Sequence, residues 1–248
     1  GSRTLLAWVK IPSLATETDT TLYMYYGNTE ITTPTANPAW VWTSSYAGVW
    51  HLAQTPNNNP GNILDSTANA NHGETNQMDT SDLINGKIGP ALFFTASDEN
   101  VLVPDDNTLD LTADITLSAW VNFDNLPTAF NGIVSKKGPT GPNAYGMFMG
   151  QPDDPKVRIG GGTYTATSSP YIQVDTWYYM TAVFDNANNQ IRYYWNGTQL
   201  GSAVTCNDAP PSNSAELEFG SEGGISDDPL DGRLDEVRVS GIARNACW

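Results

Sequence analysis

Apolar and polar residues alternate along many short segments of this chain, which is the pattern of half-buried β-strands. The clearest example is ITLSAWVNF at residues 115–123, where five apolar residues share one face and Trp120 lies on the other. Because successive side chains of a strand point to opposite sides of its sheet, the apolar face is predicted to lie in the core. Trp120 is predicted to pack on the opposite side.

Eleven segments have this strand-like texture, and short turns rather than helices separate them. They lie at residues 49–53, 91–95, 100–104, 115–123, 132–137, 145–150, 156–160, 176–185, 190–197, 215–220 and 232–240. Parallel strands need long crossover connections, so this spacing predicts an all-β antiparallel sandwich or barrel. The dipeptide Asn196-Gly197 favours a type I′ hairpin turn, which needs two residues with positive φ.

The start of the chain differs from the rest. Residues 1–28 contain two β-rich runs with a turn between them and predict a β-hairpin. Residues 29–45 are rich in proline and threonine and predict a linker, which leaves residues 46–248 as the main domain. A lone hairpin is marginally stable, so we expect it to pack on the main domain through the nearby aromatic cluster of Trp40, Trp42, Tyr46 and Trp50.

Composition restricts the possible partners. The chain has 27 acidic and 11 basic residues, a net charge of −16, so it repels phosphate backbones and we expect no nucleic-acid partner. No apolar run approaches the roughly 20 residues of a membrane-spanning helix, so membrane insertion is not expected. The acidic surplus suits either Ca²⁺ binding or simple solubility. Cys206 and Cys247 could form one disulfide or stay independent.

Oxygen-bearing side chains are concentrated in ILDSTANANHG at residues 63–73. Calcium takes about six to eight oxygen ligands, and a loop dense in Asp and Asn that closes on glycine can wrap around one ion. Alternatively, Asp65, Ser66, Asn69 and Asn71 only make side-chain hydrogen bonds to turn backbone. Zinc at His72 is disfavoured, since the chain has only one other histidine.

Candidate ligand-binding residues lie at 142–171, where aromatic and basic side chains are interspersed with glycine and polar residues. They are Tyr145, Phe148, Arg158, Tyr164 and Tyr171. Aromatic rings that stack on sugars, together with a few polar groups, are the usual content of a carbohydrate site. Plain core packing is the alternative for each ring.

A catalytic function needs two suitably placed carboxylates if the substrate is a glycoside. Glu216 and Glu218 would lie on one face of a strand, about 7 Å apart. Such a pair more often belongs to an ordinary solvent-facing strand, and no Gly-x-Ser-x-Gly nucleophile motif is present. We therefore predict that the chain is not an enzyme.

Several ordered motifs also carry a family resemblance. LSAWVNF, WYYMTAVFDNANNQIRYYWNGTQL and GRLDEVRVSGIARNACW, together with VWHLAQTPNNNPGNILDSTANANHG, resemble the laminin G-like, concanavalin A-like jelly-roll domains of secreted microbial proteins. This resemblance covers residues 46–248 and implies a two-sheet jelly roll. The first 28 residues are similar to the tail of an uncharacterised β domain that precedes such jelly rolls in microbial surface proteins.

The resemblance has functional implications. It implies that the loop after the first core strand meets the last strand around a calcium ion. Its ligands would be the carboxylates of Asp65 and Asp235 and oxygens from Asn69, Asn71 and Gly73. We expect a non-catalytic, calcium-stabilised carbohydrate-binding module of a larger secreted or cell-surface protein, with a glycan as its partner. The alternatives are an adhesive or structural module that binds surface proteins, and a glycoside hydrolase.

Overall fold

The computed structural model describes residues 5–11, 13, 17–33, 35–43, 45–95, 97–126, 130–137, 143–151, 153–223 and 228–245. Its strands are β1 (Tyr46–Trp50), β2 (Glu74–Asn76), β3 (Leu83–Asn85), β4 (Pro90–Phe94), β5 (Asn100–Val103), β6 (Ile115–Phe123), β7 (Asn131–Lys136), β8 (Tyr145–Gly150), β9 (Asp154–Ile159), β10 (Gly162–Thr165), β11 (Trp177–Asp185), β12 (Gln190–Trp195), β13 (Thr198–Gln199), β14 (Val204–Thr205), β15 (Leu217–Phe219) and β16 (Gly232–Ser240). One short α-helix, α1 (Pro38–Val41), precedes them, and 3₁₀ turns lie at Thr80–Asp82, Asn107–Leu109 and Asn186–Asn188.

The strands form two antiparallel sheets. The nine-stranded sheet has the order β13-β12-β11-β6-β16-β4-β3, with β14 also on β12 and β1 also on β16. The seven-stranded sheet has the order β10-β9-β8-β7-β15-β5-β2. Side chains from the inner faces of both sheets interdigitate in one core, where Trp50 contacts Phe219 with ring centroids 4.9 Å apart. The predicted all-β, two-sheet antiparallel sandwich is confirmed.

The side chains of β6 take the two faces that were predicted for them. In β6 the apolar positions lie in the core, whereas Trp120 is only partly buried and lies on the outer face, as predicted. Each of the eleven predicted segments overlaps a strand. The missed strands β2, β3, β10, β13 and β14 have two to four residues each, too few for alternation to be recognised. Asn196 and Gly197 have φ values of 49° and 80°, consistent with the predicted type I′ turn.

The first 28 residues differ from the prediction. The described residues before α1 contain no strand, so the expected hairpin is not seen there. Tyr23, Tyr25 and Tyr26 in this segment are exposed. An isolated pair of β-rich runs gains too little from pairing alone, and here no sheet offers these side chains an apolar face.

The aromatic cluster near the linker is only partly as expected. Trp42, Tyr46 and Val49 form a small hydrophobic cluster on the outer face of the nine-stranded sheet, and Trp8 packs against it. Trp50 instead lies in the main core, and Trp40 is 76% exposed. The N-terminal segment thus covers the part of this outer face around β1 and β16 through Trp8 and Trp42, which we call the covered half.

Two further predictions concern the cysteines and the membrane. Cys206 is buried, but Cys247 and hence its predicted pairing lie outside the described residues. None of the helices described here is long and apolar enough to cross a membrane.

Candidate functional site

Three aromatic side chains lie together on the outer face of the nine-stranded sheet. Trp120 of β6 and Tyr179 of β11 are direct cross-strand partners, and their ring centroids are 5.2 Å apart. Trp177 lies two residues before Tyr179 and therefore on the same face. Their neighbours Ala119 and Met180 point into the core. Strand alternation thus places three large rings on a surface rather than in the interior.

Two turns form the walls of a groove above these rings. On one side, the turn 86–89 is closed by the Gly86 N–H donating to the Gly89 carbonyl at 2.7 Å, with Gly89 at φ 78°. This turn carries Lys87, whose Nζ lies 4.9 Å from the Trp120 ring centroid. On the other side is the hairpin turn Asn196-Gly197. The open groove between them has a volume of about 400 Å³.

The backbone of β11 fixes the amide of Asn196. Its Oδ1 accepts the Tyr179 N–H at 2.8 Å, and its own N–H donates to the Tyr179 carbonyl at 2.8 Å. Because Oδ1 faces a donor, the orientation of the amide is set and its Nδ2 group remains available as a donor. The Tyr179 hydroxyl bonds Ser118 Oγ at 3.0 Å, so this residue presents its ring to the groove.

Asp235, one of the predicted metal ligands, lies beneath this groove. It pairs with Trp120 in register on β16 and is fully buried. Its Oδ2 accepts the Ile88 N–H at 2.7 Å, which holds the turn that carries Lys87. Burial raises the pKa of Asp235 to about 7, because the charged carboxylate loses hydration. Its arrangement identifies Asp235 as a support for the groove wall.

Asp65, the other carboxylate of the predicted calcium site, organises its own loop. Its Oδ1 accepts the N–H groups of Val49 and Thr67, both at 2.9 Å. Its Oδ2 accepts Thr67 Oγ1 at 2.7 Å and the Asn71 N–H at 3.0 Å. A carboxylate accepts about four hydrogen bonds, so protein donors already fill this side chain's capacity.

The remaining loop residues also bond within the protein. Asn69 Nδ2 donates to the carbonyls of Tyr46 and Ala47, and Asn71 Nδ2 donates to Ala47 and to Thr108 Oγ1. The Asn71 carbonyl accepts the Trp50 indole N–H at 2.8 Å. These bonds tie the loop to β1 and to the core.

Gly73 pairs with Ile63 in an isolated antiparallel bridge, which closes the loop. Asp65 and Asp235 share no hydrogen-bond partner among the described residues. Nor do the described residues contain a group of three or more His, Cys, Asp or Glu side chains that could hold a metal. The arrangement does not fit a calcium shell built on these two carboxylates, and calcium binding stays a prediction.

The five predicted ligand-binding residues are dispersed. Tyr145 is a correction: it is fully buried in the core and its hydroxyl donates to the Leu109 carbonyl, since its strand position faces inward. Tyr164 packs against the core and donates to Asp208 Oδ2 at 2.6 Å. Tyr171 is 79% exposed in the segment before β11. The structure does not bring these three rings together.

Phe148 and Arg158 do lie together, on the outer face of the seven-stranded sheet, but Phe148 is a second correction, because this residue is only 1% exposed. The Arg158 guanidinium carbon is 5.1 Å from the Phe148 ring centroid. Arg158 also forms ion pairs with Glu222 and Asp228, and Lys137 pairs with Glu222 at 3.4 Å. Acidic groups of the chain itself therefore already engage the basic groups of this face.

The sequence patterns did not reveal the groove. The outward position of Trp120 was predicted, and Trp177 and Tyr179 alternate with core residues in the same way. What was missing was the register between β6 and β11, together with the turn that brings Lys87 over Trp120.

The family of the chain is shown by a match over most of the sandwich. Residues 95–248 match a laminin G-type family model described as the concanavalin A-like lectin/glucanases superfamily. The chain belongs to this superfamily. Residues 2–46 match a domain of unknown function, DUF2341, so this first matched region ends at Tyr46, where β1 begins. The sequence matches none of the curated proteins.

Several solved structures share the fold. Domain 4 of AbnA, a GH43 extracellular arabinanase from Geobacillus stearothermophilus, in complex with arabinotriose, has a TM-score of 0.59 at 20% identity, covering 81% of this chain and 96% of that one. The binding domain of Paraclostridial Mosquitocidal Protein 1 has a TM-score of 0.59 at 15% identity, with coverages of 79% and 50%. Trypanosoma rangeli sialidase in complex with sialic acid has a TM-score of 0.56 at 15% identity, with coverages of 83% and 32%.

These likenesses concern the fold. The identities are low, and this chain spans half of the mosquitocidal binding-domain structure and about a third of the sialidase. Function does not follow from fold similarity at this level, because the same sandwich carries different sites.

Proposed function

We propose that this chain is a non-catalytic carbohydrate-binding module of a secreted or cell-surface protein. Its glycan binds in the groove formed by Trp120, Trp177, Tyr179, Lys87 and Asn196. The observation that carries the proposal is the placement of three aromatic rings on an open outer face between two polar walls. Sugar rings have apolar faces and hydroxyl edges, so they need stacking surfaces with a few polar groups beside them.

The size and content of the groove support this function. Small-molecule sites commonly have volumes of about 300 to 1,000 Å³, and the groove lies in that range. Because the groove is open to solvent, it can accept one part of a longer sugar chain. The fixed Asn196 amide and the Lys87 ammonium can donate to sugar oxygens beside the stacked ring.

The shared fold of domain 4 of the arabinanase, a structure in complex with arabinotriose, supports the same substrate class. This chain covers almost all of that domain, so the likeness extends over a complete sandwich. The support is at the level of fold, and the groove residues carry the specific argument.

The positions of the acidic residues favour binding over hydrolysis. The described residues that line the groove include no carboxylate, whereas glycosidases commonly use two. Glu218 is buried and accepts from Ser221 Oγ at 2.7 Å, while Glu216 is exposed before β15 begins. These two glutamates do not share an environment in which one could act as acid and the other as nucleophile.

Glycan-array screening in calcium and in EDTA, followed by calorimetric titration of the best oligosaccharide, tests the proposal. Trp120→Ala and Trp177→Ala should each weaken binding about tenfold or more. Trp40→Ala is the matched control, because that tryptophan is 76% exposed and lies outside the groove. The absence of any specific sugar, or equal loss in the control, would favour the adhesive or structural alternative.

A further inference from the structure

Most basic side chains of this acidic protein are neutralised by its own carboxylates. Ten of the eleven Lys and Arg residues are described, and seven of them form ion pairs. The seven are Lys136, Lys137, Lys156, Arg158, Arg192, Arg233 and Arg238. With 27 acidic residues present, pairing is the expected state of a cation here.

Lys87 departs from this pattern. It is exposed at the groove wall and forms no ion pair with a described residue; its contact is with the Trp120 ring. A lysine over an aromatic ring keeps its full charge and can bind an anion at the same time. An unneutralised ammonium therefore lies beside the stacking surface.

The rest of the groove is also rich in donors. Asn196 Nδ2 and the indole N–H groups of Trp120 and Trp177 have no acceptor among the described residues. Asp235 is nearby on β16, but it is buried beneath the turn 86–89 and bonded to Ile88, and it does not line the groove. The groove therefore has several hydrogen-bond donors and no carboxylate among its described lining residues. Such a site fits a ligand with more hydrogen-bond acceptors than donors.

We infer that the groove binds glycans that carry carboxylate groups, in which a uronate residue stacks on the aromatic rings and its carboxylate pairs with Lys87. This inference rests on the proposed function and specifies its ligand class. The net charge of −16 repels long polyanions, but charges separated by more than about 8 Å are largely screened at physiological salt. Short uronate oligosaccharides at that ionic strength are therefore the appropriate probes.

The test compares matched ligands by calorimetric titration. Trimers of galacturonate, glucuronate and mannuronate are each titrated beside their methyl esters, which keep the sugar ring and lose the charge. At least one acid form should bind about fivefold more tightly than its ester, the size of one partly exposed ion pair. Lys87→Ala should remove this preference, whereas Lys10→Ala, at an exposed lysine outside the groove, should leave it unchanged.

Each outcome has a distinct meaning. Equal binding of acid and ester, or a preference for neutral sugars that is lost in Trp120→Ala, overturns the inference while the proposed function stands. A trimer of uncharged sugars that carries sulfate groups instead of carboxylates is the second probe. If it binds as tightly as the acid form, the assignment to carboxylates is overturned, because any anion then suffices. Failure of every oligosaccharide to bind overturns both. An acid preference that disappears only in Lys87→Ala supports the inference.

Discussion

Two halves of the same outer sheet face use similar side chains with different consequences. In the covered half, Trp8 stacks on His51 at 3.9 Å and Trp42 lies against Tyr46 and beneath the Arg238 guanidinium. In the open half, Trp120, Trp177 and Tyr179 line the groove, Lys87 lies over the Trp120 ring, and none of the described chain segments covers the groove. Both halves combine aromatic rings with cations.

The difference lies in how the polar groups are satisfied. Arg238 pairs with Glu236 at 2.7 Å, and Glu236 also bonds His51, so the covered half neutralises its own charge. Lys87 has no such partner among the described residues. Aromatic content alone therefore does not identify a binding surface. Rings that another segment covers and whose neighbouring cation is neutralised serve packing, whereas open rings beside a cation without a carboxylate partner can bind a ligand.

The largest expected effect is on stability, when the Asp65 carboxylate that supports the covered half is removed. Asp65 accepts four hydrogen bonds and one comes from Val49 in β1, so Asp65→Ala leaves buried donors unpaired. We expect a loss of about 3 kcal/mol in the free energy of unfolding, measured by urea denaturation.

The same proteins test the calcium prediction. If Asp65 acts only through these bonds, EDTA leaves the melting temperature of the unmodified protein unchanged. A fall on chelation that is absent in Asp65→Ala would instead show a metal at this loop, contrary to the hydrogen-bond arrangement.

The second comparison concerns stability of the two halves. Trp42 is almost buried between the N-terminal segment and the sheet, so Trp42→Ala should cost about 2 kcal/mol of unfolding free energy. Trp120→Ala, at a partly exposed ring, should cost less than about 1 kcal/mol. Equal losses in the two variants would mean that the groove aromatics serve packing.

Glycan affinity should show the opposite order. Trp120→Ala should weaken binding of the best oligosaccharide by about tenfold, roughly 1.4 kcal/mol, because stacking and the position of Lys87 are both lost. Trp42→Ala should change it less than about twofold, as measured by titration at a temperature where both variants are folded. A larger effect from Trp42 would move the site to the covered half.

The smallest predicted effect comes from Asp235. Its folded pKa of about 7 lies above the usual 3.8, so the folded state holds this proton more tightly than the unfolded state. The resulting stability is present at low pH and is lost as the pH rises towards 7. Between about pH 6 and pH 8, Asp235→Asn should therefore lose less stability than the unmodified protein, by roughly 1 kcal/mol.

A second substitution provides the control for this pH effect. Asp106 is exposed, and hydrogen bonds from Thr108 hold its pKa below the usual range. Asp106→Asn should leave the dependence of the unfolding free energy on pH unchanged between about pH 6 and pH 8. If Asp235→Asn behaves in the same way, the carboxyl of Asp235 does not titrate under the groove.

Strand positions could be predicted from sequence because short apolar-rich runs, some with apolar residues at every second position, are bounded by turn residues. β6, β8 and β16 have the predicted bounds; β6 and β16 are nine-residue strands, and β8 is a short run of apolar residues and glycine. The predicted ligand-binding role of Tyr145 was wrong because its ring faces the core. Periodicity shows that a ring lies on one side of a sheet, but it does not tell which side is the core.

The candidate site depended on information that a single sequence does not contain. The rings of Trp120 and Tyr179 meet because β6 and β11 pair in one register, and Lys87 joins them through a turn more than thirty positions away from Trp120 in the chain. The oxygen-rich loop around Asp65 predicted a metal, and the structure shows that the Asp65 carboxylate also accepts nearby backbone donors. Local composition could not distinguish the two.

The most direct test of the central claim is a titration of one oligosaccharide, chosen from the array, against the unmodified protein, Trp120→Ala and Trp40→Ala. We predict saturable binding by the unmodified protein and Trp40→Ala, and binding about tenfold weaker in Trp120→Ala with the fold retained. Undiminished binding in folded Trp120→Ala would contradict the claim that the open aromatic groove is the glycan site.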